Sequence, residues 1–244
     1  MSKPLFHSNR LLGGLFLLLV VSMPLLSASS FDLWVQDSLY RHGAWLLDRH
    51  DRLLKILFYD GVKGLYLLLV LGVFLAWLTS LFRNRLKPWR LRLAIVALTL
   101  VLGPLTVGAV KRYSDIPCPR QLERYEGKLP HITILQRLRG DAPVTGSQCY
   151  PAGHASGGFS LMALLFLFNS ARARRRVVAS ALALGWITGA YKMAIGDHFF
   201  SHTWITMLWV SLLMLLIARV VCALRRQNLS QLLEKTGESV AQAG

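Results

Sequence analysis

Three histidines lie at the ends of apolar stretches in this 244-residue sequence, and their spacing suits acid–base and nucleophilic chemistry. His154 follows Pro151-Ala152-Gly153 and precedes small residues, which predicts a tight turn and then a helix N-terminus whose N–H groups can face an anion. His198 and His202 are four residues apart, so in a helix they share a face. One histidine can attack phosphorus, a second can fix the tautomer of the first, and a third can protonate a leaving oxygen. For His154 taken alone, a cap on a membrane helix is an equally good interpretation.

Cationic side chains accompany these histidines and could hold a phosphate group. Lys111 and Arg112 end an apolar stretch, and Lys192 lies six residues before His198. Each cation alone is typical of a side chain that snorkels to the membrane interface. Their convergence with three histidines favours phosphate binding, and Gly153 lets the backbone approach the anion.

A metal site is the alternative use of the same histidines. Two histidines at i, i+4 with a third nearby can bind zinc. Residues 198–202, however, read His-Phe-Phe-Ser-His and lack the glutamate of a zinc-protease helix. We expect Asp197 to point away from the face that His198 and His202 share. The sequence therefore predicts no metal and no other cofactor.

The composition indicates a membrane protein. Hydrophobic residues make up 54% of the chain and charged residues only 16%, with a mean hydropathy of +0.44, whereas about a quarter of the residues of a soluble domain are charged. The 28 Lys and Arg exceed the 12 Asp and Glu, but many of them lie in clusters between apolar runs, where positive charge holds a loop in the cytoplasm. We therefore expect the bilayer as partner, no nucleic acid, and no obligatory protein partner.

Six apolar stretches predict an all-α bundle of six transmembrane helices, at residues 11–28, 62–82, 93–110, 155–171, 177–195 and 203–223. With the basic clusters inside, the loop between helices 3 and 4 (residues 111–154) and the turn around His198 lie outside. Every candidate site residue then falls on one face. We expect residues 1–228 to form one domain in a bacterial inner membrane, with its site facing the periplasm. Residues 229–244 are predicted to be a solvated cytoplasmic tail.

Two segments near the N-terminus allow alternative interpretations. Residues 11–28, with basic residues before them and small residues after them, also describe a cleavable signal peptide. A run of about 18 residues is long for such a signal and favours a retained helix. Residues 29–60 mix aromatic and charged side chains, which indicates a helix lying in the membrane interface, with steering of a lipid headgroup as a second interpretation.

The cysteines provide a test of compartment. Cys118 and Cys149 lie in the predicted outside loop, while Cys222 lies near the inner end of the last helix. A Cys118–Cys149 disulfide would close a loop of about 30 residues and contribute about 3 to 4 kcal/mol in the chain-entropy model. Such a bond is typical of an oxidising compartment.

The site segments resemble the signature of the type 2 phosphatidic acid phosphatase family of six-helix membrane enzymes. That signature reads Lys, six residues, Arg-Pro; then Pro-Ser-Gly-His; then Ser-Arg, five residues, His, three residues, Asp. This sequence has Lys111, six residues and Cys118-Pro119, then Pro151-Ala152-Gly153-His154, then Tyr191-Lys192, five residues, His198, three residues and His202. It is also similar to a bacterial branch of membrane lipid phosphatases, the lipid A 1-phosphatases and undecaprenyl diphosphate phosphatases.

The resemblance implies roles only at the positions that match. His198 would be the nucleophile that forms a phosphohistidine, His154 the acid that protonates the leaving group, and Lys111 a ligand of the phosphate oxygens. No metal is implied.

Four positions depart from the signature. Cys118 replaces an arginine, Ala152 a phosphate-binding serine, Lys192 an arginine, and His202 the aspartate that orients the nucleophile. Lys192 keeps the charge but loses bidentate geometry. A neutral His202 can accept a proton, but it cannot stabilise an imidazolium as a carboxylate does. Arg112 or Arg120 could supply the missing guanidinium.

The sequence thus predicts a metal-independent membrane phosphatase that acts on a lipid-linked phosphate or diphosphate. Candidate substrates are polyprenyl diphosphate, lipid A phosphate, phosphatidylglycerol phosphate and phosphatidic acid. Two alternatives stay open: a phosphotransferase that passes the phosphate to a second lipid, and a catalytically weakened binder of lipid phosphates. A pure transporter is disfavoured, because its ionisable groups typically lie at mid-bilayer depth, whereas the charges here lie near the ends of the apolar runs.

Overall fold

A computed structural model describes residues 8–226 together with Leu229 and Leu232, and this part of the chain is almost entirely helical. The α-helices are α1 Ser8–Ala28, α2 Phe31–Leu39, α3 Arg52–Lys55, α4 Gly61–Phe82, α5 Arg90–Ser114, α6 Ile134–Arg139, α7 Gly153–Ser160, α8 Ala171–Ala194 and α9 Phe200–Leu224. A π-helical turn (Ile56–Asp60) joins α3 to α4, and 3-10 turns lie at Asn84–Trp89, Pro119–Gln121, Glu123–Tyr125 and Leu161–Leu167. A two-residue hairpin pairs β1 (Tyr40–Arg41) with β2 (Ala44–Trp45). The all-α prediction is confirmed.

Within the described residues, five helical segments are long and apolar enough to cross a membrane. They are Asn9–Ala28, Arg52–Phe82, Asn84–Gln121, Ala171–Ala194 and Phe200–Leu224. The segment predicted as the fourth span is shorter, because α7 passes into a 3-10 turn and the apolar helix ends at Leu167. Ser170 then caps α8 by accepting a hydrogen bond from the Ala173 N–H. The count of six spans stays a prediction, and the long apolar helices make this a multi-pass membrane protein.

Helix α7 packs against α5, α8 and α9 in the middle of the bundle. Small residues allow this close approach: a Cβ added at Gly158 would lie 2.6 Å from the Gly185 nitrogen on α8. Phe159, Ala163 and Val210 are fully buried around this contact. By contrast, α1 and α4 expose leucines such as Leu17 and Leu65, as helices that face lipid do.

The two ends of the bundle differ in charge and in structure. At one end lie two basic turns, the one that joins α4 to α5 and the first turns of α8. Arg92, near the start of α5, connects the two by a 3.0 Å hydrogen bond to the side chain of Asn169, which precedes α8. Arg92 also donates to the Leu232 carbonyl, and the Leu232 side chain is buried against the bundle. Leu232 is therefore not solvated as we expected for the tail. The rest of residues 229–244, apart from Leu229, lies outside the described residues, and the domain boundary at 228 stays a prediction.

At the other end, the segment around α2 packs on the ends of α8 and α9, and its place in the membrane interface stays a prediction. The Gln36 side chain donates a 2.8 Å hydrogen bond to the Met193 carbonyl. The buried Asp32 carboxylate accepts hydrogen bonds from both the backbone N–H and the hydroxyl of Ser201. Because Ser201 lies in the first turn of α9, Asp32 caps that helix from a distant part of the chain.

We expect Gly158→Ala to lower the free energy of unfolding by about 1 to 3 kcal/mol, because the new methyl group would meet the α8 backbone and force two helices apart. Thermal unfolding in detergent would measure the loss. Gly157→Ala is the matched control, since its Cβ would lie 3.6 Å from the Tyr66 ring, an ordinary contact. Equal stability of the two variants would contradict the close packing of α7 on α8.

Candidate active site

The three candidate histidines converge at the end of the bundle opposite the basic turns. His154 lies in the first turn of α7, His198 in the link between α8 and α9, and His202 in the first turn of α9. The ring centroids of His154 and His198 are 5.9 Å apart, and those of His198 and His202 are 5.7 Å apart. The structure thus brings the three histidines together, and their catalytic roles stay predictions.

His198 is held in one tautomer by a backbone group. Its Nδ1 lies 2.8 Å from the carbonyl oxygen of Cys149, and since a carbonyl only accepts, Nδ1 must carry the proton. The Nε2 atom then bears the lone pair. This atom is buried and has no hydrogen-bond partner among the described residues. A buried, unpartnered nitrogen with a free lone pair is suited to attack an incoming electrophile.

His202 lies farther from Nδ1 of His198 than the Cys149 carbonyl does. Its Nδ1 is 3.5 Å from Nδ1 of His198, the outer limit of a hydrogen bond. Its ring packs edge-on against Tyr150, with centroids 5.1 Å apart, and its own carbonyl accepts from the Ala152 N–H at 3.2 Å. The geometry therefore assigns the orientation of His198 to a carbonyl that sequence reasoning did not consider.

Asp197 pairs with two cations beside His198. Its carboxylate lies 2.9 Å from the Lys192 amine, in a hydrogen-bonded ion pair. It also lies 2.9 Å from Nε of Arg120, in an ion pair without hydrogen-bond geometry. We gave Asp197 no place in the site, and its pairing with two of the predicted phosphate-binding cations corrects that omission.

The other predicted cations separate into one near the site and one away from it. The aliphatic part of Lys111 lies beside Gly153, 4.0 Å from where a Cβ of that residue would be. Arg112 is exposed, and none of the contacts seen in residues 8–226 connects it to the histidines. Of the two candidates for the missing guanidinium, the structure brings Arg120 to the site and not Arg112.

Tyr59 closes the site from the side of α4 and was not anticipated. Its ring packs against His154 with centroids 4.8 Å apart, and the Lys192 amine lies 4.9 Å from the centre of the same ring. Such a cation–π contact holds the amine near the histidines without a second carboxylate. In the sequence, Tyr59 belongs to the aromatic and charged stretch of residues 29–60, but the sequence could not show that it contacts His154 and Lys192.

Cys118 and Cys149 form a disulfide, with Cα atoms 5.2 Å apart. Both cysteines are buried, and Cys222 is the free cysteine of the described residues. The bond joins the part of the loop that follows α5 (the first limb, residues 115–121) to the part that precedes α7 (the second limb, residues 145–152). Cys149, whose carbonyl holds His198, is therefore covalently tied to the limb that carries Arg120.

An apolar cavity of about 510 Å³ reaches the site between α4, α7 and α8. His154 and Gly153 line one part of its wall. The remaining lining is mainly aromatic and aliphatic, and includes Tyr59, Val62, Tyr66, Leu69, Leu161 and Leu184. This volume is in the range of small-molecule sites and suits an apolar chain better than a polar one.

The described part of the chain was also compared with the ligand sets that metal ions need. No group of three or more His, Cys, Asp or Glu side chains is arranged there to hold a metal ion.

Helices that cross a membrane, and a cluster of histidines and cations at one end of them, define a membrane protein built to handle an anionic group. Comparison with protein families matches residues 92–226 to the PAP2 superfamily. The match covers more than half of the chain and all three histidines, so the chain belongs to this superfamily, whose members are phosphatases. No curated protein and no solved structure matches the chain.

Burial lowers the pKa of His198 well below its ordinary value of 6.5, and nearby His202, Lys111 and His154 lower it further, while the bond to Cys149 opposes the shift. Between the lowered pKa and 6.5, the unfolded chain binds a proton at this residue that the folded protein does not. The free energy of unfolding should therefore rise with pH through this window and level off above it.

We expect His198→Gln to make that rise shallower, as measured by denaturant unfolding in detergent from about pH 5 to about pH 8. His50→Gln, at an exposed histidine, is the matched control. An unchanged slope in His198→Gln would show that His198 is not kept neutral by burial.

Proposed function

We propose that this protein hydrolyses the phosphate or diphosphate group of a membrane lipid through a phosphohistidine at His198. The supporting observation is the hydrogen bond from Nδ1 of His198 to the Cys149 carbonyl, which leaves the Nε2 lone pair free in a buried site. In the first step, Nε2 attacks the terminal phosphorus, and the bond from that phosphorus to the oxygen that stays with the lipid product breaks. His154 donates a proton to that oxygen. A water then attacks the phosphohistidine, His154 takes one of its protons, and inorganic phosphate leaves.

The groups around the nucleophile would stabilise the charge of the transferring phosphoryl group. Lys111, Lys192 and Arg120 supply positive charge from three different segments. The first turn of α7 adds backbone N–H groups, because Ala152 at its N-cap has no side chain that can accept from them. Oriented donors of this kind are typically worth about 2.7 to 4 kcal/mol each in the reaction barrier.

The apolar cavity supports a lipid as the substrate. It is lined by residues of α4, α7 and α8 and by His154, so a lipid chain could lie in it while the headgroup reaches the histidines. A water-soluble phosphate would leave that surface unused.

We also propose that the site faces the periplasm of a bacterium. The basic turns lie at the end of the bundle opposite to the site, and the positive-inside rule places such turns in the cytoplasm. The disulfide beside the nucleophile supports the same orientation, since such bonds persist in oxidising compartments.

We expect the purified wild type to release phosphate in EDTA from at least one of four lipids: polyprenyl diphosphate, lipid A phosphate, phosphatidylglycerol phosphate or phosphatidic acid. His198→Ala should abolish release, because it removes the nitrogen proposed to form the phosphohistidine. Arg120→Ala should lower kcat by about 10²- to 10³-fold, the cost of one lost oriented donor.

Arg112→Ala provides the control, since Arg112 is exposed at the end of α5 and makes no contact with the described site. Equal losses in the Arg112 and Arg120 variants would contradict the choice of guanidinium. Release that persists in His198→Ala would refute the phosphohistidine. Transfer of labelled phosphate to a second lipid instead of water would identify a phosphotransferase.

A second prediction concerns the lipid chain. Val62→Trp should fill part of the cavity and lower kcat/KM for a long-chain substrate by about tenfold or more, the scale of one to three kcal/mol of apolar contact. Hydrolysis of a short-chain analogue should change little, because it does not need the cavity. Steady-state kinetics on a chain-length series would measure both.

Leu71→Trp, at an exposed position on the same helix, is the control: it tests whether any bulky residue on α4 lowers kcat/KM without filling the cavity. If the Val62 variant slowed short-chain and long-chain substrates equally, the cavity would not hold the lipid chain.

A further inference from the structure

The two limbs of the loop between α5 and α7 are hydrogen-bonded to the link between α8 and α9, which carries the proposed nucleophile His198. On the first limb, the backbone N–H of Arg120 donates a 3.0 Å hydrogen bond to the Gly196 carbonyl. On the second limb, the Cys149 carbonyl accepts from Nδ1 of His198 at 2.8 Å, and the Ala152 N–H donates to the carbonyl of His202 at 3.2 Å. The α8–α9 link is thus held from both sides by a loop that is distant in sequence.

The two limbs are joined to each other beside these contacts. The Cys149 N–H donates to the Ile116 carbonyl at 3.0 Å, and the Cys118–Cys149 disulfide adds a covalent link. A weaker contact of 3.4 Å runs from the Ser147 hydroxyl to the Gln121 side chain. The residue whose carbonyl orients His198 is therefore one of the two bonded cysteines.

We propose that the Cys118–Cys149 disulfide is the positioning device of the nucleophile, and that its reduction switches the enzyme to a low-activity form; this inference rests on the proposed function. The bond fixes the Cα of Cys149, and with it the carbonyl that keeps the proton on Nδ1 of His198. Without the bond, only noncovalent contacts join the two limbs, among them the hydrogen bonds of Thr145 and Ser147 to the Asp115 carboxylate, and the carbonyl can shift.

A small movement of this carbonyl would have a large effect, because nothing equally good replaces it as an acceptor. His202 Nδ1 lies 3.5 Å away, where a hydrogen bond is weak. The proton of His198 would then distribute between its two nitrogens, and Nε2 would lose its lone pair in part of the molecules. A misplacement of about 1 Å can lower turnover by about 100-fold.

The chemistry of the switch is a thiol–disulfide exchange. A dithiol reductant supplies two electrons and two protons, which convert the disulfide into two thiols while the reductant becomes a cyclic disulfide. Oxidised glutathione reverses the change and is itself reduced to two molecules of glutathione. Both cysteines are buried, so a variant that needs no reductant must accompany the chemical test.

The test compares kinetics and tautomer state in the two redox forms. Treatment with dithiothreitol should lower kcat by about 100-fold with little change in KM, and oxidised glutathione should restore it. The double variant Cys118→Ala/Cys149→Ala should show the low kcat without any response to dithiothreitol. Because alanine keeps the backbone carbonyl at position 149, this variant removes the cross-link alone.

Nitrogen-15 NMR of histidine-labelled protein measures the tautomer of His198 directly. The oxidised wild type should show His198 as the Nδ1–H tautomer, a signal assigned by its absence from His198→Gln. Reduced protein and the double variant should show a mixture of tautomers. Cys222→Ala, which removes the free cysteine, should keep the tautomer and the response to dithiothreitol.

The outcomes separate this inference from the proposed function. A reduced protein with full kcat and an unchanged tautomer would overturn the positioning role. A loss of kcat with an unchanged tautomer would also overturn it, since the disulfide would then act only on stability. If neither redox form released phosphate, the proposed function would fail, and the tautomer spectra would still decide whether the disulfide positions His198.

Discussion

A buried imidazole can act as a nucleophile only when its proton is kept on the nitrogen that faces away from the substrate. In His198 this condition is met by one hydrogen bond to a main-chain carbonyl. A carbonyl is a neutral acceptor that cannot itself donate, so it selects a tautomer without adding a second charge to a buried site. The cost is that the carbonyl must be brought from a distant loop and held there. Much of the architecture at this end of the bundle serves that requirement.

The same site must gather positive charge for a phosphate without destabilising the empty protein. Three cations close together in a poorly solvated region would repel one another strongly. Asp197 relieves this repulsion by pairing with Lys192 and Arg120, and the face of Tyr59 offers Lys192 a second stabilising contact. A phosphate that enters can take over the role of the carboxylate. The cations are therefore oriented before the substrate arrives, which lowers the reorganisation needed in the reaction.

The sequence was sufficient for the features that depend on local pattern. Apolar runs located the long helices, and the types of residue in short segments singled out His154, His198 and His202, which the structure brings together. It failed where contacts join distant parts of the chain. The acceptor for His198 is a backbone atom, which no residue type reveals, and the pairing of Asp197 with Arg120 joins two loops that are distant in sequence. The short form of α7 also escaped prediction, since the change to a 3-10 turn after Ser160 leaves no mark in the apolar pattern.

The cap that Asp32 places on α9 shows that the site depends on residues outside the segment that matches the family. The family match begins at residue 92, yet the first turn of α9, which carries His202, draws its capping carboxylate from α2. Tyr59 and the outer wall of the apolar cavity also come from the part of the chain that precedes the match. The family segment thus contains the reactive groups but not all of their scaffold. Transplanting it alone into another membrane protein would leave the histidines without the surroundings that shape their chemistry.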